Sequence, residues 1–589
     1  MVLGSVPAVA ERLLAEQTFA SPRLLLMLVP STHLNWLDIL VIVIYFAAVL
    51  GVGLLLKNQT HTSTDFFLAG REMTAWVAGI SFLAANMGAL ELMGWAAASY
   101  QYGLLAAHWY WIGAVPAMLF LGLVMMPFYY ISKTHSVPGY LKLRFGEPTR
   151  ALSAISFAGM TILMSGINMF AMAKVMQVVL GWNLNFSILI SSVTVAIYVT
   201  LGGLRSAILN EVLQFFLIWA GALVIPVLGL IETGGWSGMK TRILANTAGN
   251  SGYLHLWTTL GHFNTNSMGI HWTGIVFGLG FVGAFGYWTT DFLVVQRILA
   301  ARDLRAAQMA PIIGATFKLL VPLIVIVPGL IGLAVLPGSG LALVGEGTAR
   351  AGQHTYNEVL PLLLTRYAGP GLLGLGITAL IAGFMSGMAG NVSAFAAVWT
   401  YDIYQPLLRP RSSDQHMLLV GRWSTVLGVL ASIGTAYFAM HFSSIMDYVQ
   451  ALFSFFVTPL FGTVILGMLW KRTTGPGAFW GLLAGTGSSI GMWAWVQLQP
   501  SALQTLALSP DAQPMAETLY RMLWSWLVCV IVTVSVSLVT KPRPEAELAG
   551  LVYGCTVMPD STSYPLVQQP IFWAAAAFLA FLWLQWLFR

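Results

Sequence analysis

Five ionisable side chains interrupt stretches that are otherwise apolar: Glu91, Lys174, Glu211, Asp291 and Lys318. A charge at membrane depth costs a few kcal/mol, so it persists where it meets a partner or a water-filled space. One reading is structural: an ion pair of Lys318 with Glu91 or Asp291 that locks a helix bundle. The other is a polar pathway through the bundle, and five such groups in one chain favour it. Lys318 lies ten residues past Gln308, near the start of its apolar run. At 1.5 Å per residue that is about 15 Å deep, close to a bilayer midplane. Glu211 and Asp291 lie nearer the ends of their runs, where water reaches.

Backbone breaks are the second source of chemistry. Ala84-Ala85-Asn86-Met87-Gly88 and the cluster Gly278, Gly280, Gly283 and Gly286 each fall inside an apolar run. A helix broken at membrane depth frees carbonyls and amides, which is tolerated beside a cavity. Two such helices in matching places point to a transporter built from repeats. The alternative is that the glycines simply let helices pack closely. Gly383-Phe384-Met385-Ser386-Gly387 adds a hydroxyl that, with carbonyls freed at the first break, could form an all-oxygen cage for sodium. A serine in mid-helix can equally bond back to its own helix.

Soluble-enzyme motifs are lacking. G-x-G-x-x-G occurs at Gly278–Gly283 and Gly369–Gly374, neither in a strand–helix–strand context. There is no Walker A, H-E-x-x-H or C-x-x-C pattern, the ten histidines show no ligand spacing, and Cys529 and Cys555 stand apart. The expectation is a protein that is not an enzyme, with no organic cofactor and no nucleic-acid partner.

The elements that position these residues follow from composition. Of 589 residues, 58% are apolar and 8% charged, against about 25% charged in soluble proteins. Most of the surface must therefore face lipid. Fourteen apolar runs long enough to cross a bilayer lie at about 38–57, 75–98, 104–131, 151–180, 184–202, 206–231, 269–296, 308–336, 370–400, 416–440, 443–469, 475–498, 515–539 and 570–588. They are numbered here as spans 0 to 13. Lys and Arg fall roughly two to one on one set of connecting loops, which places that set inside and both termini outside. The net charge of +6 reflects this topology. Residues 1–35 read as an extracytoplasmic segment, not a signal peptide. The outer loops near 232–268 and 337–369 should each carry a short surface helix.

Particular motifs resemble those of a known family. Asp65-Phe66-Phe67-Leu68-Ala69-Gly70-Arg71, Ser136-Val137-Pro138-Gly139-Tyr140-Leu141 with Arg144-Phe145, and Gly202-Gly203-Leu204 with Glu211 and Gln214 resemble the sodium:solute symporters. Tyr287-Trp288-Thr289-Thr290-Asp291 with Val295-Gln296-Arg297, Phe317-Lys318-Leu319, Asp447-Tyr448-Val449-Gln450, and Trp470-Lys471-Arg472 followed by Gly475-Pro476-Gly477-Ala478-Phe479-Trp480-Gly481 are similar to its sodium/glucose cotransporter branch. The resemblance covers about 36–500. It implies an all-α polytopic membrane protein with a LeuT-type 5+5 inverted repeat and extra helices at both ends. The divisions are 1–35, 36–74 with span 0, 75–233 as first repeat, 234–268 as outer loop, 269–470 as second repeat, and 471–589 with three further helices.

The resemblance also implies a site. Asn86, Asp291, Lys318 and Gln450 fall on sugar-contacting positions and Tyr287 on an inner-gate aromatic. Glu91, facing the same solute, stands where the family carries a neutral Gln or His, and Tyr110 where it carries a glutamate. For sodium, the carbonyls of Ala84, Met87 and Gly383 and the hydroxyl of Ser386 match, while Gly387 replaces a second hydroxyl. Glu211 falls near the ion's exit path. The expectation is a multi-pass plasma-membrane symporter that imports a sugar or polyol with sodium as co-substrate. Proton coupling through Glu91 or Glu211, or uncoupled transport of a small organic acid or other solute, is the alternative. The oligomeric state is left open.

Overall fold

A computed structural model describes residues 34–56, 67–345, 348–350, 353–442, 444–556 and 565–589. Residues 1–33 of the expected N-terminal segment, and Asp65 and Phe66 of the first family motif, lie outside the described residues. Among those described, the chain is helical, with two isolated bridge pairings, Met73 with Ala301 and Val344 with Thr355.

The first half contains α1 (Trp36–Leu56), α2 (Ala75–Asn86), α3 (Ala89–Tyr102), α4 (Val115–Ile131), α5 (Val137–Phe145), α6 (Glu147–Leu180), α7 (Leu184–Ala222), α8 (Val224–Thr233) and α9 (Gly235–Asn246). The second contains α10 (Gly274–Thr290), α11 (Phe292–Leu299), α12 (Leu304–Lys318), α13 (Pro322–Val335), α14 (Val359–Tyr367), α15 (Leu372–Val398), α16 (Asp414–Phe438) and α17 (Ile445–Leu469). Then follow α18 (Gly475–Leu498), α19 (Pro514–Val539) and α20 (Pro570–Leu587). Polar residues at the loop edges set the starts. Ser136, Asp303, Ser444 and Thr474 each accept a bond from the backbone amide three residues on, at 2.9, 2.7, 3.1 and 3.2 Å. Such caps satisfy amides that have no partner in the first turn. The outer-loop helices expected near 232–268 and 337–369 are α9 and α14.

Each of the fourteen apolar runs is helical in most of its length. Among the described residues eight helices are long and apolar enough to cross a membrane, or ten if each of two bent pairs is one span. Two expected boundaries differ. Spans 4 and 5 are joined without an open loop: helical hydrogen bonding is carried through Gly202, Gly203 and Arg205, while Leu204–Thr233 is of membrane-crossing length by itself. The glycine pair that marks a loop in the sequence is carried inside helical hydrogen bonding. Span 2 begins late, because 103–109 form a tight 3-10 turn and the helix starts only at Val115.

The first broken helix is α2–α3, bent by 56°. Gly88 is extended (φ −74°, ψ 171°), and the amide of Glu91 bonds the Gly88 carbonyl at 3.0 Å. In a continuous helix that amide would take the Met87 carbonyl, which is thereby released. The second is α10–α11, bent by 49°. Its break is not at the glycines but at Asp291, which is extended (φ −71°, ψ 112°) and caps α11 by accepting from the Leu293 amide at 2.9 Å. The glycines instead make room for neighbours. A Cβ on Gly278 would stand 2.3 Å from the Leu519 carbonyl of α19, and one on Gly280 2.5 Å from the Ile112 side chain. The close-packing alternative holds for this cluster. Gly278→Val should therefore destabilise the protein by about 1–3 kcal/mol through overpacking, read as a lower Tm in detergent. The exposed face of α19 is the contrast, and Ile531→Val there should leave Tm unchanged.

α7 packs along α15, α12 along α2 and α6 along α16; the second half of the first broken helix, α3, packs mainly along α13, and that of the second, α11, along α2 and α15.

Candidate functional site

Residues on both sides of each break line one cavity between α2, α3, α6, α10, α11, α12, α15 and α17. It is narrow in this conformation, with about 80 Å³ open to the centres of water-sized molecules, inside a region of about 740 Å³ that includes open solvent.

Its polar centre is Lys318, at the C-terminal end of α12 and 1% exposed. The helical hydrogen-bond ladder lapses just after it, although Leu319 keeps helical dihedrals (φ −58°, ψ −32°), and the Leu319 carbonyl accepts from the indole of Trp111 at 3.1 Å. The Lys318 ammonium donates to Glu91 Oε1 at 3.0 Å and to the Asn86 side-chain carbonyl. It also lies 4.8 Å from the ring centre of Tyr110 and 5.0 Å from that of Trp288. Aromatic faces attract a cation, so the ammonium is held from several sides. Glu91, in the first turn of α3, also accepts from the Tyr110 hydroxyl at 2.8 Å. The Asn86 amide donates to the Tyr287 hydroxyl at 2.8 Å, and the Tyr287 ring packs on Phe453 at 4.8 Å between centres. Gln450, on α17, adds a further amide to the lining. One lysine and one glutamate make the cavity polar and electrically balanced.

Five of the six residues expected to face the solute meet here: Asn86, Glu91, Tyr287, Lys318 and Gln450. Asp291 is not among the lining residues. Its carboxylate is taken up in capping α11, and it borders a separate, smaller cleft with Ser153 and Phe456. The other charges within spans pair elsewhere. Lys174 meets Glu358 at 3.3 Å, and Glu358 meets His354 at 2.6 Å. Glu211 meets Arg297 at 2.7 Å, with both side chains fully buried, and Ser81 donates to the same carboxylate.

The residues expected around sodium lie together at the first break. Ser386 does not bond back to its own helix but donates across to the Ala84 carbonyl at 3.0 Å. A Cβ on Gly383 would stand 3.1 Å from the Met87 carbonyl, so α15 and the break are in backbone contact there.

Asn168, Asn391 and the aromatic wall of Trp95, Trp109 and Trp288 also line the cavity, and none was singled out from the sequence as a site residue. An uncharged amide in an apolar run gives a far weaker signal than a carboxylate or an ammonium, and a tryptophan in a membrane helix gives none.

A bundle of membrane-crossing helices around a central polar cavity, with two broken helices beside it, is the architecture of a secondary transporter. The chain belongs to the sodium:solute symporter family, whose model matches residues 66–485. It is 31% identical over 535 residues to human sodium/glucose cotransporter 4, covering 88% of this chain and 78% of that one. It is 25% identical over 513 residues to the sodium/glucose cotransporter of Vibrio parahaemolyticus, covering 86% and 91%. Its fold matches that of a sodium-coupled sialic acid symporter in a substrate-bound outward-open state, with a TM-score of 0.69 and 21% identity over 87% of this chain and 99% of that chain. The all-α, LeuT-type transporter fold expected from the sequence is the fold of this multi-pass membrane protein.

Proposed function

We propose that the protein imports a small neutral polyhydroxylated solute, a sugar or polyol, together with sodium by alternating access. The observation that carries this reading is the Lys318–Glu91 pair in the cavity wall. A site for an organic acid would present an uncompensated cation; here the lysine is balanced, and what remains are donors and acceptors suited to hydroxyls. Asn86, Gln450 and Lys318 offer donors, Glu91 and the amide carbonyls offer acceptors, and Tyr287 offers a ring face for a pyranose. The two departures from the family pattern meet in one hydrogen bond, Tyr110 to Glu91. A carboxylate thus stays in the cavity, supplied from position 91 in place of 110.

In this mechanism sodium enters from outside and sits among the carbonyls of Ala84, Met87 and Gly383 and the Ser386 hydroxyl. The C-terminal end of α2, where the helix dipole is negative, favours a cation there. Sodium must bind the outward-open arrangement better than the others, or it shifts nothing. Its binding orders the break and presents Asn86 and Glu91, on either side of it, to the solute. Closure of the outer side and rocking of the repeats follow, and movement of Tyr287 releases the solute inward. Glu211 would lie on the ion's way out once its pair with Arg297 parts. Asp291 acts through the second break, as the cap on which α11 pivots.

Uptake into proteoliposomes of a panel of sugars, polyols and carboxylates tests this. With an inward sodium gradient a neutral polyhydroxylated solute should accumulate, and replacing sodium by choline should reduce its uptake to the level of protein-free vesicles. Accumulation driven equally by a proton gradient in choline, or selective uptake of a carboxylate, would sink the reading.

A further inference from the structure

We infer that Asn168 is a further sodium ligand, its side-chain carbonyl completing the oxygen cage at the first helix break. This rests on the reading of that break as the sodium site.

Asn168 lies in α6, is 2% exposed and borders the cavity. Its Oδ1 has no hydrogen-bond partner. A buried amide oxygen left unbonded is costly and is retained where some other group bonds it. The amide is wedged between the two elements that form the cage. A Cβ on Gly88 would stand 3.2 Å from Asn168 Oδ1; a Cβ on Gly387 would stand 3.2 Å from Nδ2 and 3.5 Å from Oδ1. The same Gly88 position is 3.5 Å from the Gly383 carbonyl. The unbonded oxygen is therefore close to the place where the Met87 carbonyl is released and the Gly383 backbone approaches it.

The other candidate ligands leave a gap on this side. Ala84's carbonyl already accepts from the Met87 amide at 2.9 Å and from Ser386 at 3.0 Å. Position 387, next to Ser386 on the helix, has no side chain to contribute. A hard cation takes oxygen ligands, amide carbonyls among them. Asn168 brings such an oxygen from a third helix without adding charge. It also links the ion to α6, so sodium would tie the break to both α15 and α6.

The test uses the full-length protein. Sodium is titrated twice, by solute uptake in proteoliposomes and, with no solute present, by the intrinsic fluorescence of the tryptophans lining the cavity. Asn168→Ala should raise the sodium half-saturation about tenfold or more in both, the loss expected for one bond to a charged group. The solute half-saturation at saturating sodium should change less than about twofold on that scale. Adding Gly387→Ser to Asn168→Ala should recover much of the sodium affinity, because a hydroxyl can then enter the space the amide has left. Asn168→Asp keeps an oxygen in place and adds a negative charge beside the ion, so it should lower the sodium half-saturation in both titrations; this covers the case where the alanine variant folds poorly, and an unchanged half-saturation in it would overturn the proposal. A raised solute half-saturation with sodium unchanged would overturn the proposal and make Asn168 a solute contact. Unchanged values for both would also overturn it. If the unaltered protein shows no sodium response in either assay, the sodium reading itself fails, and that outcome is distinct from a sodium-responsive protein indifferent to residue 168.

Discussion

Lys318→Ala should reduce sodium-driven uptake by about a hundredfold or more, roughly 3 kcal/mol of lost solute interaction, and should separately cost about 3–5 kcal/mol of stability, because one member of a buried ion pair is removed. The loss has two parts. The ammonium disappears as a donor to the solute, and Glu91 is left in the cavity with only the Tyr110 hydroxyl as side-chain partner. These parts can be separated. The double variant Lys318→Met/Glu91→Gln removes both charges, and replacing a whole buried pair is often neutral for stability. Its Tm should return to within a few degrees of the parent while uptake stays lost. Recovery of both Tm and transport in the double variant would mean that the pair only locks the bundle.

Lys318 and Glu91 were legible in the sequence for a physical reason: a charge inside an apolar run is expensive, so its presence already implies a partner or a cavity. The same logic located Lys174, Glu211 and Asp291 but could not assign them. Lys174 is answered by Glu358 beyond its own span and Glu211 by Arg297, while Asp291 caps a helix. Which partner a charge meets depends on packing between elements distant in the chain. Glycine carried a double meaning. At Gly88 it marks a true break, whereas at Gly278 and Gly280 it marks close approach of α19 and Ile112. The residue type is the same and only the neighbour distinguishes them. Helix positions followed closely from hydropathy, but the division of α7 did not, because Gly202-Gly203 suits a loop and a helix alike once the flanks are strongly apolar. Asn168 stayed hidden because its importance lies in an oxygen that nothing bonds, which a one-dimensional pattern does not record.

Arg297→Met should cost stability on a similar scale, about 3–5 kcal/mol, since Glu211 would remain fully buried without its ion partner. Arg297 is also the hub of a local network. Besides Glu211 it donates to the Leu293 carbonyl at 2.9 Å and to Gln296 Oε1 at 3.1 Å, both in α11. Ser81 of α2 donates to Glu211 from the other side. The pair thus joins the first half of one broken helix, the second half of the other, and α7. A marked fall in Tm and in the yield of folded protein is the expected result for the single variant. Glu211→Gln/Arg297→Met should recover most of that stability, because no charge is left uncompensated. Transport then discriminates between two roles for the carboxylate. If Glu211 receives sodium on its way inward, the double variant will bind sodium with unaltered half-saturation in the fluorescence titration yet turn over slowly. If the pair is only a clamp between the moving halves, the double variant will transport at a rate equal to or above that of the parent.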